Sequence, residues 1–104
     1  MSLEQLSERA LFIHSKYADS NREKFGREWT KAELAQGFVG DVGDLMKLVM
    51  AKEGIREIEN VEQKLAHELS DCLWSILVLA HKFDINLETS FLQTMTELEA
   101  RFEK

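Results

Sequence analysis

Apolar residues recur three and four positions apart along most of the chain, and this spacing predicts helices. We predict four of them, with short connections, at residues 3–19, 30–52, 60–82 and 86 to the C-terminal end. Ser2 with Gln5, and Thr30 with Glu33, fit capping boxes at the first two helix starts. The polar segment at 20–29 is expected to break the first helix, Gly54 to stop the second, and Asn60 and Asn86 to begin the last two.

The stretch GFVGDVGDLM, residues 37–46, raises the question of a phosphate-binding glycine loop. Such a loop follows a strand and opens a helix, whereas here an apolar stripe passes straight through the glycines. That stripe comprises Leu34, Phe38, Val42, Leu45 and Val49. The glycines are therefore predicted to lie inside a helix, where each costs roughly 1 kcal/mol relative to alanine. Close approach by another backbone or a ligand would be their benefit.

Two pairs of carboxylates stand beside the predicted core faces. Asp41 falls within the stripe of the second helix, and Asp44 lies three residues on, towards its edge. Glu68 and Asp71 have the same spacing beside the stripe of the third helix, which comprises Leu65, Leu69, Cys72, Ile76 and Leu79. Residues three apart share a helix face, so antiparallel packing of the two helices would bring four carboxylates together.

Four converging carboxylates would repel one another unless protons or cations neutralise them. Oxygen ligands of this kind suit Mg²⁺, Mn²⁺ or Ca²⁺ rather than zinc. The alternative is that both pairs are solvated helix edges with no ligand.

Composition narrows the class of protein. The 104 residues include no proline and are 44% hydrophobic and 31% charged, which favours a single all-α domain over residues 1–104. A formal net charge of −6 argues against nucleic acid as a partner. The single cysteine and the lack of a signal-peptide core or a bilayer-long apolar segment lead us to expect a cytoplasmic protein that does not enter a membrane.

The two acidic motifs, DVGDL and ELSD with residues 45–67 between them, resemble the MazG-like all-α nucleotide pyrophosphohydrolases, including the small dCTP pyrophosphatase type. The family carries an acidic pair, usually Glu-x-x-Glu, on one helix and Glu-x-x-Asp on the next. The similarity covers roughly residues 11–101. It implies a four-helix-bundle-type fold that assembles as a homodimer or homotetramer, and hydrolysis of a nucleoside triphosphate to the monophosphate and pyrophosphate. Carried over by position, Asp41, Asp44, Glu68 and Asp71 are the ligands of Mg²⁺, for which Mn²⁺ can substitute.

This chain departs from the family in the first pair, where both positions hold the shorter Asp instead of Glu. The positions of a nucleotide-binding Lys and Asn in the dCTP-type members correspond to Thr94 and Leu98. The base and sugar of the substrate are therefore not carried over. A member that binds nucleotide or metal without turnover is the alternative, and a purely structural helical oligomer is a third.

Some residues are candidates for contacts with the nucleotide. Phe25 and Trp29 can stack on a base or pack against the bundle, and the sequence does not decide between these roles. Lys47 and Arg101 are candidate phosphate contacts. Trp74 and Val78 lie off the predicted stripe of the third helix, so we expect a second subunit to bury them.

Overall fold

The computed structural model describes residues 1–103, and they form four α-helices. Helix α1 spans Leu3–Phe25, α2 spans Lys31–Lys52, α3 spans Val61–Lys82 and α4 spans Leu87–Ala100. The prediction of an all-α fold is confirmed. No helix within residues 1–103 has the length and apolar character needed to cross a membrane.

The helix starts follow the predicted capping residues. Both capping boxes form, Ser2 with Gln5 at α1 and Thr30 with Glu33 at α2. The Asn86 side chain accepts a hydrogen bond of 3.1 Å from the Thr89 amide at the start of α4. Asn60 precedes α3 in a left-handed conformation and makes no side-chain cap. Each satisfied cap supplies a partner to an amide that the helix itself leaves free.

The predicted end of α1 is wrong, because the helix continues through the polar segment to Phe25. Polar residues with good helix propensity, such as Arg22 and Lys24, extend it, and their charges suit the negative end of the helix dipole. Gly26, with φ of 76°, then ends the helix by donating its N–H to the carbonyl of Arg22 at 2.9 Å. Gly54, with φ of 84°, stops α2 as predicted. Here Gly54 donates its N–H to the carbonyl of Ala51 at 3.1 Å, while Ile55 donates to that of Met50 at 2.9 Å.

The core lies where α1 and α2 meet α3. Helices α2 and α3 form a closely packed hairpin, and α1 packs on α3. Ala10, Leu34, Leu77 and Val78 form the central buried cluster. Val78 is only 1% exposed in the single chain. The prediction that a second subunit buries Val78 is therefore wrong, because its own chain already does so.

The predicted apolar stripes of α2 and α3 are buried at some positions and exposed at others. Leu69 and Ile76 on α3 were predicted as core but are 52% and 38% exposed, and Val42 and Val49 on α2 are exposed too. Cys72 of the predicted stripe is buried, and the other buried residues of α3 are Ser75, Leu77 and Val78. Each helix of the hairpin has a second apolar face, and periodicity does not tell which one contacts the same chain.

Helix α4 stands largely apart from the other three. Leu87, at its start, packs against the core, but no residue of α4 is buried. The radius of gyration is 16.7 Å, compared with about 13 Å for a compact domain of this length. A bundle closed by its own fourth helix is therefore not what this single chain forms.

Candidate functional site

The α2–α3 hairpin brings three of the four predicted carboxylates together. Asp41 and Asp44 on α2 and Glu68 on α3 each place one carboxylate oxygen within 4.8 Å of the others. Asp41 is partly buried and Asp44 is exposed. The i, i+3 spacing puts both aspartates on the edge of α2 that meets α3.

Glu68 is the most constrained member of this carboxylate cluster. Its Oε1 atom is inaccessible to solvent and has no hydrogen-bond partner among the described residues. Burial, followed by the charges of Asp41, Asp71 and Asp44, raises the pKa of Glu68 above its ordinary value. Lys47 Nζ lies 4.0 Å from Asp44 Oδ1, but both side chains are more than half exposed, so this pair does little to relieve Glu68.

The cluster fits a divalent cation with oxygen ligands. A buried carboxylate oxygen without a partner is costly unless a cation or a proton satisfies it. Ligands of one octahedral Mg²⁺ lie about 3 Å apart when adjacent and about 4.2 Å apart when opposite, so oxygens within 4.8 Å of one another would move closer on binding a shared ion. The chemistry of the donors favours Mg²⁺ or Mn²⁺ over softer metals.

Asp71, the fourth predicted ligand, lies one turn beyond Glu68 and outside the group of three. Its Oδ2 atom is 3.2 Å from Nε2 of His67, the preceding residue on the same face of α3. Its charge still acts on Glu68. A direct metal contact from Asp71 stays a prediction.

A cavity of about 720 Å³ opens beside the cluster, between α1 and the hairpin. Asp41 and Asp71 line its acidic end. Its other walls carry four aromatic side chains: Tyr17, Phe25, Trp29 and Trp74. The structure thus places Phe25 and Trp29, the two predicted base-stacking candidates, in one cavity with a predicted metal ligand. We call this space the aromatic cavity.

The residues of the aromatic cavity that sequence reasoning did not predict to face a ligand include His14, Tyr17 and Trp74. Trp74 is partly buried within its own chain, and its ring packs edge-on against Tyr17 at 5.9 Å between centroids. Both ring nitrogens of His14 are inaccessible and have no partner among the described residues. Burial, and then the charge of Lys82, lowers the pKa of His14, so its neutral form is favoured.

A signal for this face was present in the sequence. Ala10, His14 and Ala18 are four residues apart, and small residues at that spacing permit close helix contact. Ala10 and Ala18 are the two buried residues of α1. The more apolar stripe of Leu6, Ile13 and Tyr17 is exposed in the single chain, although Ile13 and Tyr17 line the aromatic cavity.

A second cavity, of about 430 Å³, lies on the other side of the cluster. Asp44 and Glu68 line it together with Lys47, Lys64 and His67. We call it the lysine cavity. It contains Lys47, a predicted phosphate contact. Arg101 follows the last residue of α4 and lines neither cavity in the single chain, so its role stays a prediction.

The glycines of α2 lie inside the helix, as predicted. A Cβ atom added at Gly40 or Gly43 would meet nothing within 4 Å, and one at Gly37 would lie 4.0 Å from Cζ3 of Trp29. The expected close approach to Gly40 and Gly43 therefore does not occur within this chain. Both glycines directly precede an aspartate of the cluster and leave the space beside it open.

Comparisons with protein-family models, with curated proteins and with solved structures found no match to this chain.

Proposed function

We propose that this protein is a Mg²⁺-dependent, MazG-like nucleoside triphosphate pyrophosphohydrolase, which converts an NTP or dNTP to the monophosphate and pyrophosphate. One observation carries the proposal. A carboxylate cluster with a buried, unpartnered Glu68 oxygen adjoins a cavity lined by four aromatic rings. Carboxylates that hold a cation and rings that stack on a base are the two features that a nucleotide requires.

Asp41, Asp44 and Glu68 would hold the cation, with Asp71 as a further acidic neighbour. A divalent ion held there would supply charge to screen the triphosphate and Lewis acidity to activate water. The acidic chain, with its net charge of −6, can then accept a polyanion.

The aromatic cavity would hold the nucleoside. At about 720 Å³ it falls within the range of about 300–1,000 Å³ typical of ligand pockets. Phe25, the last residue of α1, and Trp29, in the connection to α2, are exposed enough to move onto a base. Trp74, in contrast, is held by its hydrogen bond to Ala10. The cavity would thereby orient the nucleotide with its phosphates towards the carboxylates.

The second candidate function is binding of nucleotide or metal without hydrolysis, and the observation that favours it concerns Asp44. This ligand position has the shorter Asp, and its side chain is 62% exposed. A ligand that does not reach the ion leaves coordination to water and weakens the hold on the transition state.

A panel of canonical and modified nucleoside triphosphates, with Mg²⁺ or Mn²⁺ and pyrophosphate release as the readout, tests the proposal. We expect release from at least one triphosphate, and at least a hundredfold loss in Glu68→Gln. Glu99→Gln on α4, which makes the same change of charge away from both cavities, should match the wild type. If no triphosphate releases pyrophosphate at high protein concentration, the proposed hydrolase activity is wrong. Nucleotide binding that survives in that case would favour the second candidate.

We also infer a homodimer or homotetramer, in which a second copy covers one apolar face of the hairpin. This hairpin face comprises Val39, Val42, Met46 and Val49 of α2 and Leu69, Leu73 and Ile76 of α3, all of them exposed. On α3 these residues lie away from Trp74, the residue that contacts α1. The face is therefore on the opposite side of the hairpin from α1.

Both the size and the charge of the hairpin face favour a second copy. This face presents seven exposed apolar side chains on one surface, and α4 exposes four more, Phe91, Leu92, Met95 and Leu98, whereas monomers rarely expose large contiguous apolar patches. The α2 residues of the hairpin face are all uncharged, and so are Ala35 and Met50 at its edges. Two chains of like net charge can therefore pair there without bringing charges into contact.

A further inference from the structure

The two cavities beside the carboxylate cluster have opposite chemical character. Asp41 and Asp71 face the aromatic cavity, whereas Asp44 and Glu68 face the lysine cavity. His67 lines both cavities. A ligand held at the cluster can therefore extend in two directions, one towards rings and the other towards cations.

The lysine cavity has the groups that an anion requires. Lys64, His67 and Glu68 are three and four residues apart, so they share one face of α3. Lys64 forms no ion pair with any residue of the described part of the chain, and Lys47 has only the 4.0 Å contact with Asp44. Both ammonium groups are thus available to a ligand. Ile58, from the connection between α2 and α3, lines the same cavity.

The charges of the two cavities indicate which one suits the phosphates of a nucleotide and which one suits the base. The β- and γ-phosphates carry most of the negative charge of a triphosphate. The aromatic cavity is lined by three carboxylates, Glu28, Asp41 and Asp71, and one lysine, whereas the lysine cavity is lined by two carboxylates and two lysines. Lysine acts as a point charge towards phosphate and needs no fixed geometry to do so. The base, which is neutral and flat, matches the rings instead.

We propose that the lysine cavity is the subsite for the β,γ-diphosphate of the substrate and for the pyrophosphate product, with Lys47 and Lys64 as its contacts. This inference rests on the proposed function. Water oxygen bonds to the α-phosphorus and its proton is released to solvent, while the bond from that phosphorus to the α,β-bridging oxygen breaks. The bridging oxygen leaves with the electron pair as part of pyrophosphate, which lies on the lysine side, and the monophosphate stays on the aromatic side.

Calorimetry with the Mn²⁺-loaded protein tests the subsite, with inorganic pyrophosphate and a nucleoside monophosphate as separate probes. Lys47→Gln and Lys64→Gln should each weaken pyrophosphate binding about tenfold and leave monophosphate binding within about twofold. Lys16→Gln, on the exposed face of α1, makes the same change of charge and should alter neither. The two products should also bind together, because they occupy different cavities.

The opposite orientation predicts a different result. Lys24 lines the aromatic cavity, so a diphosphate bound there would lose affinity in Lys24→Gln and keep it in Lys64→Gln. That outcome, or an unchanged pyrophosphate affinity in both Lys47→Gln and Lys64→Gln, would overturn the inference. Melting curves of the variants show whether each is folded. If only the proposed hydrolase function is wrong, the triphosphate panel should show no hydrolysis, but pyrophosphate binding should still depend on Lys47 and Lys64. The two failures can therefore be distinguished.

Discussion

The indole N–H of Trp74 donates a hydrogen bond of 3.0 Å to the main-chain carbonyl of Ala10, and so joins α3 to α1. The two residues are 64 positions apart in the chain. Trp74 therefore fixes the distance between the two helices that form opposite walls of the aromatic cavity.

Trp74→Phe should destabilise the fold by about 1–3 kcal/mol, because it removes the indole hydrogen bond and leaves part of the space empty. It should also weaken nucleotide binding, since the cavity wall is no longer fixed. Urea unfolding and calorimetry measure the two effects. Trp29→Phe is the matched control, because Trp29 is exposed and lies outside the helices, and its cost in stability should stay below about 0.5 kcal/mol. Equal destabilisation by both substitutions would contradict the role given to Trp74.

Removing one charge from the carboxylate cluster should have opposite effects on the metal-free and metal-bound protein. The raised pKa of Glu68 means that its ionised form costs stability at neutral pH, so Glu68→Gln and Asp41→Asn should keep or raise the melting temperature by about 2–5 °C without metal. Both should lose the upward shift that Mg²⁺ or Mn²⁺ gives the wild type by binding the native state.

Thermal melting with and without millimolar Mn²⁺ checks this, and Glu99→Gln should keep the full shift. Solvated helix edges predict no metal-induced shift in any of the proteins. A wild type that melts at the same temperature with and without Mn²⁺ would contradict the proposed metal site and, with it, the proposed hydrolase activity.

The stability that Glu33 contributes at the start of α2 should decrease at acidic pH. Two hydrogen bonds from Arg27, at 2.7 and 3.0 Å, and one from the Thr30 amide lower the pKa of Glu33 to about 2. A carboxyl whose folded pKa is depressed contributes stability above its unfolded value of 4.5, and this contribution is lost as the pH falls towards 2.

Glu33→Gln should therefore be less stable than the wild type at pH 7, and the difference should disappear between about pH 4.5 and 2. Urea unfolding over this pH range follows the difference directly. Glu23→Gln, on the exposed surface of α1, serves as the control and should show no such convergence. A gap that stays constant down to pH 2.5 would show that the Glu33 contacts do not form in solution.

Assembly should depend on the hairpin face and not on apolar exposure in general. Leu73→Lys places a charge at the centre of that face, and a charge buried at an interface without a partner opposes association. Sedimentation at micromolar concentration should therefore show a dimer or tetramer for the wild type and a monomer for Leu73→Lys. Phe12→Lys, at an exposed apolar position of α1, should leave the assembly intact. A monomeric wild type would contradict the assembly.

Local signals predicted the parts of this fold that depend on neighbouring residues. Thr30 with Glu33 fixed the start of α2, and the spacing of Asp41, Asp44 and Glu68 was enough to expect a cluster between two helices. These features need only helix geometry and one hairpin. Polarity alone does not predict the end of α1, because polar residues with good propensity continue a helix until a residue such as Gly26 stops it.

The aromatic cavity could not be predicted, because it depends on how α1 lies across α3. Tyr17 and Trp74 are far apart in sequence, and only that packing brings their rings together. The inward face of α3 was misassigned for a related reason. Leu69 and Val78 belong to different apolar faces of the same helix, and the burial of Val78 was decided by α1 and α2 rather than by its own periodicity.

Helix α4 is joined to the rest of the chain through residues 83–86 and contributes no buried residue, which makes it a separate unit of local unfolding. Its amide hydrogens should exchange with solvent through openings that leave α1, α2 and α3 intact. Their protection should then rise with protein concentration, because the proposed pairing with another chain would cover the apolar side of α4. In contrast, amides around Val78 should exchange at a rate set by global unfolding of the core.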